Sequence, residues 1–200
     1  MNRKVKSVLR GTGSSLPARI VPNDEFVAII DTSDEGIRTR TGIRERRFVG
    51  PDETSASLGI AAARRALAKS QLTAADLDLI ICATVTPDMM TPANACSIQA
   101  ALGCRPIPSF DISAACTGFL YAMSVADQYI RSGDARNVLI VGTEILSRAM
   151  DFTDRNTSPE RWDIVFGVAL MLMILEAMRR ANGWGMPGGT PAFGAHAFSG

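Results

Sequence analysis

Apolar positions recur along the chain in two alternating periods, and each change of period falls at a glycine, a proline or a capping residue. Val5 to Leu9 is a short apolar stretch that runs into Gly11-Thr12-Gly13, a strand ending in a glycine-rich turn. Asn23, just after Pro22, is placed to cap a helix whose inner face carries Phe26, Val27 and Ile30. Thr54 or Ser55 caps a longer helix through Lys69, and its inner face of Leu58, Ala61, Ala62 and Ala66 implies close packing against a sheet. LIICAT from Leu79 reads as a buried strand, after which Thr91-Pro92 supplies an N-cap and a first-turn proline for a helix to about Leu102, stopped by Gly103. Ile107 to Ser113 follows as a strand, Thr117 to Ser132 as a helix ended by Gly133, and Asn137 to Glu144 as another buried strand. Near-continuous apolar strands alternating with helices predict an α/β chain, layered, with a mostly parallel sheet covered by helices on both faces. No internal repeat or low-complexity linker interrupts residues 1–157, which read as one unit.

From Ser158 the pattern changes: the last 43 residues hold seven of the 17 glycines and four of the nine methionines. The first part of this tail reads as a buried helix and its last part as loop or disorder. The longest apolar run, Ile164 to Leu175, is twelve residues, whereas a membrane-spanning helix needs about 20. The basic N-terminus lacks the apolar core and cleavage site of a secretory signal. A cytoplasmic chain without a membrane span is expected.

Composition narrows the classes further. Twenty-one Lys and Arg against 20 Asp and Glu leave a net charge of +1, so no global field holds nucleic acid or an anionic membrane. Charge is nevertheless local, because Arg38, Arg40, Arg44, Arg46 and Arg47 fall within ten residues. Taken alone, that cluster reads as a solvated arginine-rich loop. Cys82, Cys96, Cys104 and Cys116 share no CxxC spacing, and His196 is the single histidine. Free thiols and no structural metal are expected.

One segment carries chemistry. In SFDISAACTGFLY, Ser109 to Tyr121, a strand runs into small residues and sets Cys116 immediately before a helix. A side chain at such an elbow is presented to a pocket, and backbone N–H groups around it can point at a developing oxyanion. The positive end of the helix favours a thiolate by about 0.3 to 1 kcal/mol, so an efficient nucleophile wants a further activating group. The other three cysteines read as small buried hydrophobes. Cys116 is therefore the candidate acyl-transfer nucleophile.

Three stretches now carry a resemblance: DTSDEGIRTRTGIRERR at Asp31 to Arg47, DISAACTGFLYAMSVADQYIRSG at Asp111 to Gly133, and DFTDRNT at Asp151 to Thr157. Together they resemble the signatures of beta-ketoacyl-acyl-carrier-protein synthase III. The likeness covers about residues 1–157 and implies the first half of a thiolase-like fold. It implies the initiating condensing enzyme of type II fatty acid synthesis, which joins a short acyl group to malonyl-acyl carrier protein by decarboxylative Claisen condensation. Cys116 would accept the acyl group, with its own N–H in the oxyanion hole. Acetyl-coenzyme A or another short acyl-coenzyme A would be a substrate, with no permanently bound cofactor. Thr32, Arg40 and Arg155 match positions lining the coenzyme A entrance, and the arginines suit both its phosphates and an acidic carrier protein. Thr91 matches the position that reaches, in the family's homodimers, into the partner's acyl pocket; being small, it leaves room for longer chains.

The likeness also has departures. Gly36 stands where the family usually has tryptophan, which removes an aromatic platform for adenine and implies weaker coenzyme A binding. The family takes its catalytic histidine and asparagine from its second half; neither is assigned here, His196 lies in a different context, and the 200 residues are expected not to complete the condensation. In 158–200, Phe166-Gly167 and Leu175-Glu176-Ala177 match the family while the glycine-rich middle reads VALMLMI, as an out-of-frame stretch would. Two other readings stay open: a non-catalytic thiolase-like fragment that acts by dimerising, and a polyketide-type acyltransferase of the same superfamily.

Overall fold

The structure, a computed structural model, describes residues 5–28 and 32–149 and the backbone of residues 172–178. Its main sheet contains β1 (Lys6–Gly13), β4 (Leu79–Ala83), β5 (Ser109–Ile112), β6 (Asn137–Gly142) and β7 (Leu172–Met178) in the order β1-β7-β6-β4-β5. β4 is parallel to both β5 and β6, while β7 is antiparallel to β1 and β6. Four strands therefore run one way and β7 alone runs against them, so the sheet is mostly parallel as expected. The buried helix expected in the first part of the tail is not what residues 172–178 form. Their backbone is a strand, because the gap between β1 and β6 offers two unpaired edges that a strand satisfies and a helix cannot. Residues 158–171 and 179–200 lie outside the described residues.

Alternation along the parallel strands divides the core into two layers. Ile80, Cys82, Leu139 and Val141 pack with α3 (Ser55–Ser70) and α4 (Asn94–Leu102), whereas Leu79, Ile81, Val138 and Ile140 pack with α5 (Gly118–Ser132). In α3, Thr54 and Ser57 form a capping box, and Ala62, Ala63 and Ala66 are fully buried. Gly103 and Gly133 end α4 and α5 in left-handed conformation, at φ +72° and +90°.

Gly11 and Gly13 are not a turn. Both lie in β1, where α3 passes so close that a Cβ on Gly13 would stand 2.2 Å from the Ala62 carbonyl oxygen. Glycine is needed there for approach, not for bending.

A second unit joins β2 (Arg19–Pro22) and β3 (Glu45–Phe48) in an antiparallel pair with α1 (Asn23–Val27) and α2 (Asp34–Thr41), around buried Val21, Phe26 and Ile37. Asn23 opens α1 but its side chain does not cap it. Its amide is buried and committed elsewhere: Nδ2 donates to Asp34 Oδ1 (2.7 Å) and the Ile43 carbonyl (2.9 Å), and Oδ1 accepts from Arg46 Nη1 (2.7 Å). The arginine cluster is likewise not a loop. Arg38 and Arg40 lie on α2, Arg46 and Arg47 on β3, and Arg46 is only 3% exposed, its guanidinium 4.2 Å from the Phe26 ring centroid. Among the described residues, no helix is long and apolar enough to cross a membrane.

Candidate active site

β5 leads directly into the elbow. After Ile112 the backbone passes through Ala114 (φ −148°, ψ 33°) and Ala115 (φ +46°), makes one 3-10 turn over Ala115–Thr117, and enters α5 at Gly118. Left-handed backbone at a residue with a Cβ costs about 1 to 3 kcal/mol and persists only where its surroundings over-determine it. Here both sides are fixed. The Thr117 hydroxyl and N–H both donate to the Ala114 carbonyl, at 2.8 and 3.2 Å. Downstream, α5 buries Gly118, Ala122, Ala126 and Ile130 along one stripe. Cys116, at the crest of the turn, is exposed.

The floor beneath this end of the sheet is a set of three carboxylates, each accepting two hydrogen bonds. Glu144 accepts from the Val85 N–H (2.9 Å) and the Thr86 hydroxyl (2.6 Å). Asp88 accepts from the N–H groups of Ser55 (2.7 Å) and Ala56 (3.0 Å) at the start of α3, and Asp111 from those of Asn94 (2.8 Å) and Ala95 (2.9 Å) at the start of α4. Asp111 thus does for α4 what Thr91 was expected to do: the helix begins at Asn94, and Thr91-Pro92 belongs to the preceding loop, joined by a cis peptide. A charged acceptor from a neighbouring strand outcompetes a hydroxyl three residues upstream of the helix.

Burial first, then the carboxylates of Asp111, Glu144 and Asp88, push the Cys82 thiol far above its usual range; burial also raises that of Cys104. All four cysteines are free, Cys82 buried and Cys96 and Cys104 half-buried. Iodoacetamide followed by peptide mass spectrometry is therefore expected to label Cys116 first and Cys82 last; early labelling of Cys82 would contradict the placement.

Of the residues expected to bind or react, Cys116 and Thr91 lie at the carboxyl end of the main sheet, Thr91 exposed in the loop after β4. Thr32 and Arg40 belong instead to the hairpin unit. The Thr32 hydroxyl oxygen is buried just before α2, and Arg40 is exposed on that helix. Arg40 Nη2 lies 3.5 Å from where a Cβ on Gly36 would stand, so the guanidinium flanks the face left bare by that glycine. Arg155 and His196 lie outside the described residues. Asp88, Asn94, Asp111 and Glu144 were not singled out from sequence; their signal, an acidic or amide residue just past an apolar strand or opening a helix, is shared by many solvated positions.

The fold is that of the first half of the thiolase-like synthases. A profile of the 3-oxoacyl-[acyl-carrier-protein (ACP)] synthase III family matches residues 110–181. Beta-ketoacyl-[acyl-carrier-protein] synthase III of Rhizobium johnstonii is 51% identical over 173 residues, 86% of this chain and 52% of that protein. The crystal structure of 3-oxoacyl-[acyl-carrier-protein] synthase III from Aquifex aeolicus superposes with a TM-score of 0.79 at 42% identity, over 87% of this chain and 55% of that one. The priming beta-ketosynthase of the R1128 polyketide pathway superposes with a TM-score of 0.79 at 39% identity, over 86% and 50%. The chain is similar to these synthases over most of its own length, and it spans about half the length of the curated relatives it matches.

Proposed function

We propose that this chain carries the acyl-accepting half of the initiating condensation of fatty acid synthesis, with Cys116 as the nucleophile. The observation that carries this reading is an exposed thiol on a strained strand-to-helix elbow. In the first step the Cys116 sulfur attacks the carbonyl carbon of a short acyl-coenzyme A. The thiol proton passes to the departing coenzyme A sulfur through a base or solvent, leaving an acyl-cysteine and free coenzyme A. In the second step malonyl-acyl carrier protein loses carbon dioxide, and its carbanion attacks the acyl-cysteine. The products are 3-oxoacyl-acyl carrier protein and the cysteine thiolate, which then takes up a proton.

Local geometry supports the first step. The Thr117 N–H is turned back to Ala114 and the Gly118 N–H to Ala115, whereas no backbone acceptor among the described residues takes the Cys116 N–H. That donor is free to meet an oxyanion formed on the thiol's own acyl group. Thr32 and Arg40, with Arg155, would hold coenzyme A, the guanidinium groups facing its phosphates. Thr91 would border the acyl chain across a homodimer interface, and its small side chain would admit chains longer than acetyl. No cofactor is proposed to remain bound between turnovers, and a cytoplasmic setting fits these substrates.

Incubating the protein with acetyl-coenzyme A should give an acetyl adduct in the intact mass spectrum, mapped to Cys116 and abolished in Cys116→Ala. A folded protein that takes up no acetyl group would overturn the reading.

A further inference from the structure

We propose that Asn23 is a positioning residue for coenzyme A: by holding both ends of α2 from inside the hairpin unit, its side chain fixes where that helix presents Arg40 and the bare face of Gly36. The proposal rests on the reading that Thr32 and Arg40 hold coenzyme A. Thr32 lies just before α2, and Gly36 and Arg40 stand one turn apart along it. Wherever the helix is seated, these residues are seated with it.

Local bonds set the shape of α2. Ser33 Oγ accepts from the Gly36 N–H (3.0 Å), Arg38 Nη1 donates to Asp34 Oδ2 (3.3 Å), and the Thr41 hydroxyl donates to the Ile37 carbonyl (2.7 Å). All three lie within the helix and its cap, so they do not set its place on the hairpin. Ile37 seats it among Val21 and Phe26, but apolar packing is non-directional and tolerates sliding. Asn23 adds direction from outside the helix. One Nδ2 hydrogen goes to Asp34 Oδ1 in the first turn and the other to the Ile43 carbonyl, just past the Gly42 cap. The amide cannot turn over, because its Oδ1 accepts from the Arg46 guanidinium, which would meet an N–H in the flipped state. Arg46 lies on the Phe26 ring, and that ring stands edge-on to Phe48 of β3 at 5.6 Å between centroids. A continuous brace therefore runs from β3 through Arg46 and Asn23 to both ends of α2. Asn23 is 1% exposed, so water is not there to replace it.

The chemistry of the substrate separates this role from general support of the fold. The phosphates and adenine of coenzyme A are the parts α2 would meet, whereas Cys116 attacks the thioester end. S-acetyl-N-acetylcysteamine carries that thioester without the nucleotide. Loss of folded protein slows both donors by one factor, and a displaced α2 slows acetyl-coenzyme A alone. The experiment times acetylation of Cys116 by mass spectrometry over a range of each donor, in the full chain of the wild type, Asn23→Ala and Asp34→Ala.

In Asn23→Ala the second-order rate constant with acetyl-coenzyme A is expected to fall about tenfold or more, through a higher half-saturating concentration, since an ångström of misplacement costs on that scale. With the short donor it should stay within about twofold. Equal factors for the two donors in folded Asn23→Ala would overturn the proposal. If circular dichroism shows that variant unfolded, Asp34→Ala decides, because it removes one tie and leaves Asn23 its bonds to Ile43 and Arg46. Losing a carboxylate beside a phosphate site should by charge alone speed acetyl-coenzyme A. Selective slowing of that donor therefore supports positioning, and unchanged, faster or equally slowed transfer overturns it. The wild type tests the underlying readings by itself. If Cys116 takes acetyl from neither donor, the acyl-acceptor reading fails separately, and equilibrium dialysis of coenzyme A decides. Weaker binding by the folded variant than by the wild type supports the brace, and equal binding, or none in the wild type, removes it. If the wild type reacts with both donors alike, α2 is not a coenzyme A site, and the proposal falls with that reading.

Discussion

Gly13→Ala should unfold in urea well before the wild type, with a loss of about 3 kcal/mol. The added methyl would meet two backbone atoms of α3, the Ala62 carbonyl oxygen at 2.2 Å and the Ala66 nitrogen at 2.6 Å, and neither can rotate out of the way. Relief requires β1 and α3 to separate, which opens the layer built on Ala62 and Ala66. With urea slopes of about 1 to 3 kcal/mol per molar, the midpoint should fall by about 1 M or more. Gly133→Ala makes a useful contrast. A Cβ there meets nothing within 4 Å, so only the cost of its left-handed backbone, about 1 kcal/mol, should appear. Equal midpoints for Gly13→Ala and the wild type would mean that β1 does not lie against α3.

Asn23→Leu is the second large effect, again about 3 kcal/mol by urea denaturation. The leucine fills similar volume but withdraws the acceptor from the buried Arg46 Nη1 and the donor from both Asp34 and the Ile43 carbonyl. Hydrogen bonds to charged groups are worth about 1.5 to 3 kcal/mol, and a buried guanidinium left short of an acceptor adds a desolvation cost. The pH dependence separates this account from simple repacking. The Asn23 amide, then Arg38, hold the Asp34 carboxyl below the usual carboxylate range. A depressed folded value stabilises fully above about pH 4 and is lost as pH falls through it. Wild-type stability should therefore drop more steeply than that of Asn23→Leu below about pH 4. Asp76, held down by its hydrogen bonds to Thr73, contributes the same sign to both proteins and cancels in the difference. Parallel pH curves would show that Asn23 does not sustain the Asp34 charge.

What could be read from residues alone divides along physical lines. α3 and α5 were legible because each carries one periodicity over its whole length and ends at a residue with a steric or capping reason to stop, and β4 because its apolar run is short and bounded by polar residues. The elbow at Cys116 was legible too, as a strand pattern, a run of small residues and a helix pattern in succession. Asn23 and Thr91 misled because each has the chemistry of a cap, and only tertiary neighbours, Arg46 for one and Asp111 for the other, decide where such groups are spent. Gly11 and Gly13 misled for a related reason, since glycine marks a turn and a close approach equally well. The strand at residues 172–178 lies in an apolar run without a period, where strand and buried helix look alike until the sheet supplies partners. Arg46 was hidden among its neighbours, because no count of charges distinguishes a guanidinium laid on a phenyl ring from one in water.

β7 is the strand that lets β1 enter the main sheet, for it separates β1 from β6 and pairs with both. Leu9 is aligned with Leu175, so the first strand of the chain waits for the last described one. Such distant pairing places this fold among those with slow, entropically expensive search. On the ribosome, β4, β5 and β6 can assemble with α3, α4 and α5 as soon as they emerge, whereas β1 stays without its strand partner until residues 172–178 have been synthesised. For that interval the nascent protein presents the unpaired edge of β1 to whatever chaperone or neighbour is nearest, and the rate of translation sets how long the exposure lasts.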